Sequence, residues 1–167
     1  WLLKRVKAET GLDVLLLAHK QEASFRVSLE KQAEMMGFSS NRILALREPD
    51  RFIEDQEPIQ LGETRLNALF TPGHSPGHVS FYLPEGVFSI QDLELSDQNN
   101  IKPVLIAGDA LFRSSIGRTD LPGSNHQQLI DSIKQKLFVL PDETVVLPGH
   151  GPHTTIGFEK QSNPFLQ

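Results

Sequence analysis

The sequence contains no cysteine, and this absence narrows the chemistry available to it. Thiolate metal ligands, a cysteine nucleophile and disulfide bonds are all excluded. Any bound metal must therefore be held by nitrogen and oxygen donors. The absence of cysteine does not by itself indicate a cellular compartment.

Long apolar runs and basic runs are also absent. No apolar stretch approaches the length that crosses a bilayer, and Lys4 and Arg5 sit within an amphipathic pattern that differs from a signal peptide. The formal net charge is -5, and no run of Lys and Arg could neutralise a line of phosphates. We therefore expect no membrane or nucleic-acid partner and a cytoplasmic location.

The composition that remains is globular. The 167 residues are 38% hydrophobic and 22% charged, with 12 Gly and 11 Pro, which suits a folded chain with a sizeable core. No linker or shift in composition divides the chain, so we expect a single domain over residues 1–167. Strand and helix patterns occur in mixed order, which predicts the α/β or α+β class.

Hydrophobic periodicity predicts where the strands and helices lie along the sequence. Strands are expected at 13–18, 64–70, 79–83, 87–90, from 104 and from 144, with 13–18 buried. Helices are expected at 1–10, at 28–36, after a cap at Ser124 or Asn125, and from 154–156 onwards. The segment 110–123 is predicted to be a long loop, and loops of that length are usually functional.

Three of these strands end in a sharp turn and a potential metal ligand. Residues 69–78 carry His74 and His78, a Val-Leu-Ile-Ala-Gly run leads into Asp109, and Thr-Val-Val-Leu-Pro-Gly leads into His150. Each turn alone is ordinary turn chemistry. Together, however, imidazole and carboxylate groups at several strand ends can come within coordination distance of one zinc, iron or manganese ion. The pattern predicts a metal site from His74, Asp109 and His150.

The other polar candidates have simpler structural interpretations. His19 follows the 13–18 strand without a Gly or Pro turn, so we expect it to cap the strand exit or hydrogen-bond near it. Arg118 and Asp120 are close enough to brace the 110–123 loop through each other, an interpretation that we place ahead of catalysis. The acidic cluster within 50–57 is expected to be a solvated face.

Four motifs, in their order and approximate spacing, resemble the metallo-β-lactamase superfamily and in particular its glyoxalase II-like branch. They are Thr-Pro-Gly-His-Ser-Pro-Gly-His at 71–78, Ala-Gly-Asp at 107–109, Gly-Arg-Thr-Asp-Leu-Pro-Gly at 117–123 and Leu-Pro-Gly-His-Gly-Pro at 147–152. A similar closing segment follows at 154–166. The resemblance covers nearly the whole chain, and it implies an αββα sandwich with a metal centre at one rim of the two sheets.

The resemblance also implies roles for individual residues. His74 matches a ligand to the first metal, Asp109 a carboxylate that bridges two metals, and His150 a ligand to the second. His78 matches a histidine that orients its neighbours without binding metal. With zinc as the first choice, and iron or manganese as alternatives, metal-bound hydroxide would hydrolyse a thioester or ester such as a glutathione thioester.

One part of the family pattern has no counterpart here. The superfamily supplies most of its other ligands from a His-x-His-x-Asp-His motif before the helix that residues 1–10 resemble, and all six histidines lie after that point. We expect the chain to be the C-terminal portion of such a domain, without its first strands and first metal motif. We also expect it to be impaired or inactive alone, and poorly soluble because of an exposed sheet edge.

Two alternative functions stay open. A mononuclear iron oxygenase acting on glutathione persulfide belongs to the same superfamily and has a similar Gly-Arg-Thr-Asp loop. The Pro-Gly-His context of His150 favours the dinuclear hydrolase over this oxygenase. The second alternative is a non-catalytic binding module on the same scaffold, which would fold stably without a metal.

Overall fold

The computed structural model describes residues 9, 11, 14–23, 48–85 and 102–167. Three predicted elements lie outside these residues: the helix at 28–36, the strand at 87–90 and, apart from the helical Glu9, the helix at 1–10. The described part of the chain contains no helix that is long and apolar enough to cross a membrane.

The first two strands form a small sheet of their own, in which β1 (Leu17–Ala18) runs parallel to β2 (Arg51–Phe52). The predicted buried strand at 13–18 is therefore wrong in extent and in burial, since Val14 and Leu15 are 38% and 64% exposed. Among the described residues, β2 is the only strand that pairs with β1. A single neighbour two residues long cannot cover such a run.

Eight further strands follow in the chain. They are β3 (Pro58–Leu61), β4 (Thr64–Phe70), β5 (Val79–Leu83), β6 (Val104–Gly108), β7 (Leu111–Phe112), β8 (Ser115–Ile116), β9 (Val145–Pro148) and β10 (Thr154–Thr155). Six of these strands form one sheet in the order β10-β9-β6-β5-β4-β3, and β7 and β8 form a separate hairpin. The bounds of β4 and β5 confirm the strands predicted at 64–70 and 79–83.

The β7–β8 hairpin corrects the prediction of a long loop over 110–123. Leu111 pairs with Ile116 across the hairpin, and both side chains are buried in the core. The turn between them places Ser114 at a φ of 56°. Burial of these two apolar side chains favours paired strands over an open loop.

Two helices cover one face of the large sheet. In α1 (His126–Ser132), continued by a π-helical turn at Ile133–Leu137, the side chain of Asn125 caps the first turn by accepting the Gln128 N–H at 2.9 Å. The second helix, α2 (Ile156–Ser162), is capped by Thr155. The apolar stripe of α1 and the first residue of α2 pack in one core with the same face of β6 and β9. Sheets and helices in mixed order confirm the predicted α/β class.

The topology of the large sheet determines where its loops meet. β4 and β6 are both antiparallel to β5, so they run in the same direction, and β9 is parallel to β6. The carboxyl ends of β4, β6 and β9 therefore lie at the same rim of the sheet. The three predicted metal-binding segments follow these three ends.

Candidate metal centre

The rim of the sheet gathers the three predicted ligands around Asp109. Nε2 of His74 lies 3.7 Å from Oδ2 of Asp109, and Nε2 of His150 lies 4.0 Å from Oδ1. Asp109 follows β6, which lies in the sheet between β9, the strand before His150, and the β4–β5 pair that carries His74. Each oxygen of the carboxylate consequently faces a different histidine.

The distances between these side chains are compatible with a metal ion between each histidine and Asp109. Two donors with bonds of about 2.1 Å to a tetrahedral zinc ion lie about 3.4 Å apart, so each histidine–carboxylate pair leaves room for an ion. In the described ranges, no group of three or more His, Asp or Glu side chains is arranged to hold a metal. His74 and His150 face different oxygens of Asp109, and each histidine–carboxylate pair is called a half-site below.

His74 is oriented by a backbone carbonyl. Its Nδ1 lies 2.9 Å from the carbonyl oxygen of Arg118, and the ring must donate this hydrogen bond because a carbonyl oxygen only accepts. In a neutral ring, Nε2 then carries a lone pair that faces the Asp109 carboxylate. Two acceptors that face each other need a proton or a metal ion between them, so this pair of residues fits a metal ion.

Arg118 and Asp120 hold the loop that provides this carbonyl. The guanidinium donates to both carboxylate oxygens, from Nε at 2.7 Å and from an η nitrogen at 2.8 Å, and both side chains are exposed. The Arg118 guanidinium lowers the pKa of the Asp120 carboxyl to about 2. The two side chains thus brace the loop through their ion pair. The same loop orients the His74 ring through the Arg118 carbonyl.

His78 lies behind Asp109 and holds its backbone. Nε2 of His78 accepts the Asp109 N–H at 3.2 Å, so Nδ1 carries the proton and donates to the Thr71 hydroxyl at 2.9 Å. Thr71 in turn donates to the Ser80 hydroxyl at 2.9 Å, and Ser80 donates to the Ala107 carbonyl at 3.2 Å. Each group in this series donates a hydrogen bond to the next, from His78 through Thr71 and Ser80 to the Ala107 carbonyl. The series fixes the end of β6, from which Asp109 projects.

Burial keeps His78 in the state that this chain of hydrogen bonds requires. Desolvation, helped by the neighbouring His74, lowers the pKa of the His78 imidazole to about 4. A neutral ring retains the lone pair that accepts the Asp109 N–H, whereas a protonated ring would have none. His78 therefore supports Asp109 from behind, and its two ring nitrogens are already used.

Replacing Thr71 with Val tests this support. Thr71 is fully buried, and Val keeps its volume while removing the hydroxyl that joins His78 to Ser80. We expect the free energy of unfolding in urea to fall by about 1–3 kcal/mol, because buried polar groups lose their partner. Thr64→Val at the start of β4 is the control, and a loss of equal size there would contradict this interpretation.

The loop 71–78 is also held by a side chain that sequence analysis missed. The Glu22 carboxylate accepts the Ser75 hydroxyl at 2.9 Å and the Gly77 N–H at 2.6 Å. A Cβ at Gly77 would lie 2.4 Å from the backbone nitrogen of Glu22, so the contact requires glycine. Nothing in the sequence near Glu22 signals this contact, because its partners lie more than 50 positions away.

An open cleft of about 420 Å³ lies at this rim. Its lining includes His74, Asp109 and His150 together with residues of the β7–β8 hairpin. The ring of Phe112 in that hairpin packs against the His150 ring, with 4.4 Å between the centroids. A small molecule in the cleft would therefore lie next to both half-sites.

The remaining described histidines contribute no ligand to the rim. His19 is buried, accepts the Gln21 N–H and stacks on the Phe70 ring at 3.8 Å, as expected of a residue that caps a strand exit. His126 forms a hydrogen bond with the Thr119 hydroxyl at 3.3 Å. His153 is exposed just before β10.

Comparison with known proteins agrees with this architecture. A model of the metallo-β-lactamase superfamily matches residues 97–150. Hydroxyacylglutathione hydrolase GloC of Haemophilus influenzae is 36% identical over 163 residues, which cover 97% of this chain and 68% of that protein. The probable metallo-hydrolase YqgX of Bacillus subtilis is 44% identical over 117 residues, which cover 70% of this chain and 48% of YqgX. The chain spans about half the length of several curated relatives that it matches.

Solved structures give the same result. The B3 metallo-β-lactamase BLEG-1 is 34% identical with a TM-score of 0.73, and the alignment covers 97% of this chain and 68% of that one. TTHA1623, solved in a di-iron-bound form, is 35% identical with a TM-score of 0.71, and the alignment covers 98% and 70% of the two chains. Sequence, fold and relatives therefore agree that this chain belongs to the metallo-β-lactamase superfamily, whose members bind metal ions.

Proposed function

We propose that this chain forms part of a metal-dependent hydrolase that cleaves thioesters or related esters, with a glutathione thioester as substrate. The proposal rests on the position of the Asp109 carboxylate between two histidines. One of its oxygens faces Nε2 of His74, and the other faces Nε2 of His150. A carboxylate in this position can be shared by two ions. Paired ions are a recurrent device for hydrolysis in proteins.

Bound metal ions would supply a hydroxide at neutral pH and stabilise the negative charge that develops on the substrate carbonyl oxygen. His74 and His150 would each hold an ion through Nε2, and Asp109 would share its oxygens between the two. The Arg118 carbonyl fixes the ring of His74, and His78 fixes the backbone of Asp109. Because the nucleophile is a hydroxide, no side chain needs to form a covalent bond with the substrate.

The choice of substrate rests on the cleft and on one relative. A volume of about 420 Å³ lies within the usual range of small-molecule sites. One relative, whose alignment covers 97% of this chain, is named hydroxyacylglutathione hydrolase. Zinc is the ion that we propose first, and the di-iron form of TTHA1623 makes iron the alternative to test.

We infer that a complete metal site needs more ligands than these residues provide. Each half-site has one histidine and one shared carboxylate, whereas catalytic zinc sites generally use three protein ligands and a water. We propose that the remaining donors come from a His-x-His-x-Asp-His motif outside the 167 residues. These residues would then form the C-terminal portion of one metallo-β-lactamase-like domain, and they would be inactive or impaired alone.

Hydrolysis of S-lactoylglutathione by the complete protein tests the proposal. We expect turnover that disappears when a chelator removes the metal and returns when zinc or iron is added, because the nucleophile depends on the ion. The reaction can be followed by loss of the thioester absorbance. Turnover that survives complete metal removal would contradict a metal-dependent mechanism.

The oxygenase alternative predicts a different result with the same protein. A mononuclear iron oxygenase would consume oxygen with glutathione persulfide and leave the thioester intact. The position of His150 beside the second oxygen of Asp109 favours the two-ion hydrolase. A non-catalytic binding module would show neither reaction, and the alignment of two histidines on one carboxylate favours a catalytic centre over it.

A further inference from the structure

The β7–β8 hairpin forms part of the wall of the cleft that the predicted metal ligands also line. Phe112, Arg113, Ser115 and Ile116 all line the cleft. Phe112 also packs against the ring of His150. A substrate whose reacting carbonyl lies beside Asp109 must therefore place other parts of itself along this hairpin.

A buried carboxylate fixes the turn of the hairpin. Glu159 in α2 is 0% exposed and accepts the Ser114 N–H at 3.0 Å, the Thr154 hydroxyl at 2.6 Å and the Asn163 amide at 2.7 Å. The same amide group of Asn163 donates to the Ser115 carbonyl at 3.0 Å. These hydrogen bonds to Glu159 and Asn163 hold the turn in one place on α2.

This turn carries an exposed arginine, Arg113. Within the described contacts Arg113 has no carboxylate partner, and its guanidinium lies over the Phe158 ring, 5.5 Å from the centroid. An aromatic ring supports a cation without cancelling its charge. Arg118, the other arginine that lines the cleft, already forms a bidentate ion pair with Asp120. Of the two described arginines that line the cleft, Arg113 is therefore the one without a described carboxylate partner.

We propose that Arg113 binds a carboxylate of an anionic substrate and thereby sets a preference for acidic thioesters over neutral ones. A guanidinium binds carboxylates through a planar pair of N–H donors, which suits a residue anchored on a fixed turn. The inference rests on the proposed function for the reaction, but it makes a separate claim about binding. Arg113 determines specificity and takes no part in bond cleavage.

Binding of S-methylglutathione to the complete protein tests this claim without turnover. This thioether carries the carboxylates of glutathione and cannot be hydrolysed. We expect Arg113→Gln to weaken its binding about tenfold in calorimetry, the loss of one charge-assisted contact, and Arg113→Lys to restore part of the affinity. Arg65→Gln, at an exposed arginine of β4, is the control and should bind as the wild type does. Unchanged affinity in Arg113→Gln would overturn the proposal.

Turnover separates this inference from the proposed function. With S-lactoylglutathione, Arg113→Gln should raise KM about tenfold and leave kcat unchanged, while a neutral lactoyl thioester of N-acetylcysteamine should show neither change. Equal losses on both thioesters would contradict a role in specificity. If the wild type hydrolyses neither thioester, the proposed function fails, and the binding titration still decides the role of Arg113.

Discussion

Replacement of Asp109 with Ala should remove metal from both half-sites and lower kcat/KM for S-lactoylglutathione at least about a thousandfold. The reason is that one carboxylate serves both histidines, with Oδ2 facing His74 and Oδ1 facing His150. Loss of a residue that only supports a ligand already costs roughly 10–100-fold in affinity or activity. Loss of a shared ligand should cost more than this.

Elemental mass spectrometry and steady-state kinetics on the complete protein measure the two effects together. Asp131→Ala is a matched control, because Asp131 is an exposed carboxylate on α1 that accepts a hydrogen bond from Gln127. We expect the control to keep its metal and its turnover. Unchanged turnover in Asp109→Ala would disprove the proposed role of this carboxylate.

Gly149→Ala should have the second largest effect. It should reduce metal binding more than it reduces the stability of the fold. An added Cβ would lie 2.3 Å from Oδ1 of Asp109, the oxygen that faces His150. The carboxylate is the end of a side chain and can turn away, so the backbone need not move. We expect about a hundredfold loss in kcat/KM and loss of one ion, since displacement by about 1 Å can cost this much.

Gly151→Ala is the control for the change from glycine to alanine. No heavy atom lies within 4 Å of a Cβ added at Gly151, but its φ of 78° is unfavourable for alanine. This variant should lose about 1–2 kcal/mol in free energy of unfolding and keep both ions. The Gly149 variant should show the opposite pattern, with stability within about 1 kcal/mol of the wild type. Equal metal content in the two variants would contradict the steric argument.

Patterns over a few consecutive residues predict the parts of the fold that depend on interactions between residues close in sequence. The bounds of β4 and β5 follow from apolar runs between turn residues, and a cap at Ser124 or Asn125 follows from the position of these residues before the stripe of α1. The three rim candidates could be chosen for the same reason, since each follows a strand and a glycine. The distances between them could not be predicted from these local patterns, because they depend on the order of β4, β6 and β9 across the sheet. Only the family resemblance assigns His74 and His150 to different metals.

Carboxylates with distant partners were the main failure of sequence analysis. The sequence predicts a solvated acidic face that includes Asp55, yet this carboxylate accepts the Phe70 N–H at 2.9 Å and pairs with Lys136, 81 positions later. The pKa of Asp55 is lowered, because these hydrogen bonds outweigh the desolvation that opposes them. Glu159 had no predicted role and proves to be fully buried. Donors that lie far away in the sequence decide whether a carboxylate is buried or solvated, and periodicity carries no information about them.

The shared carboxylate can be tested most directly by counting the metal ions in the complete protein. The protein is purified without chelator, and its metal content per chain is measured by elemental mass spectrometry. Two ions per chain are predicted, because His74 and His150 face different oxygens of Asp109. A single tightly bound ion per chain, unchanged after incubation with excess zinc or iron, would contradict the account.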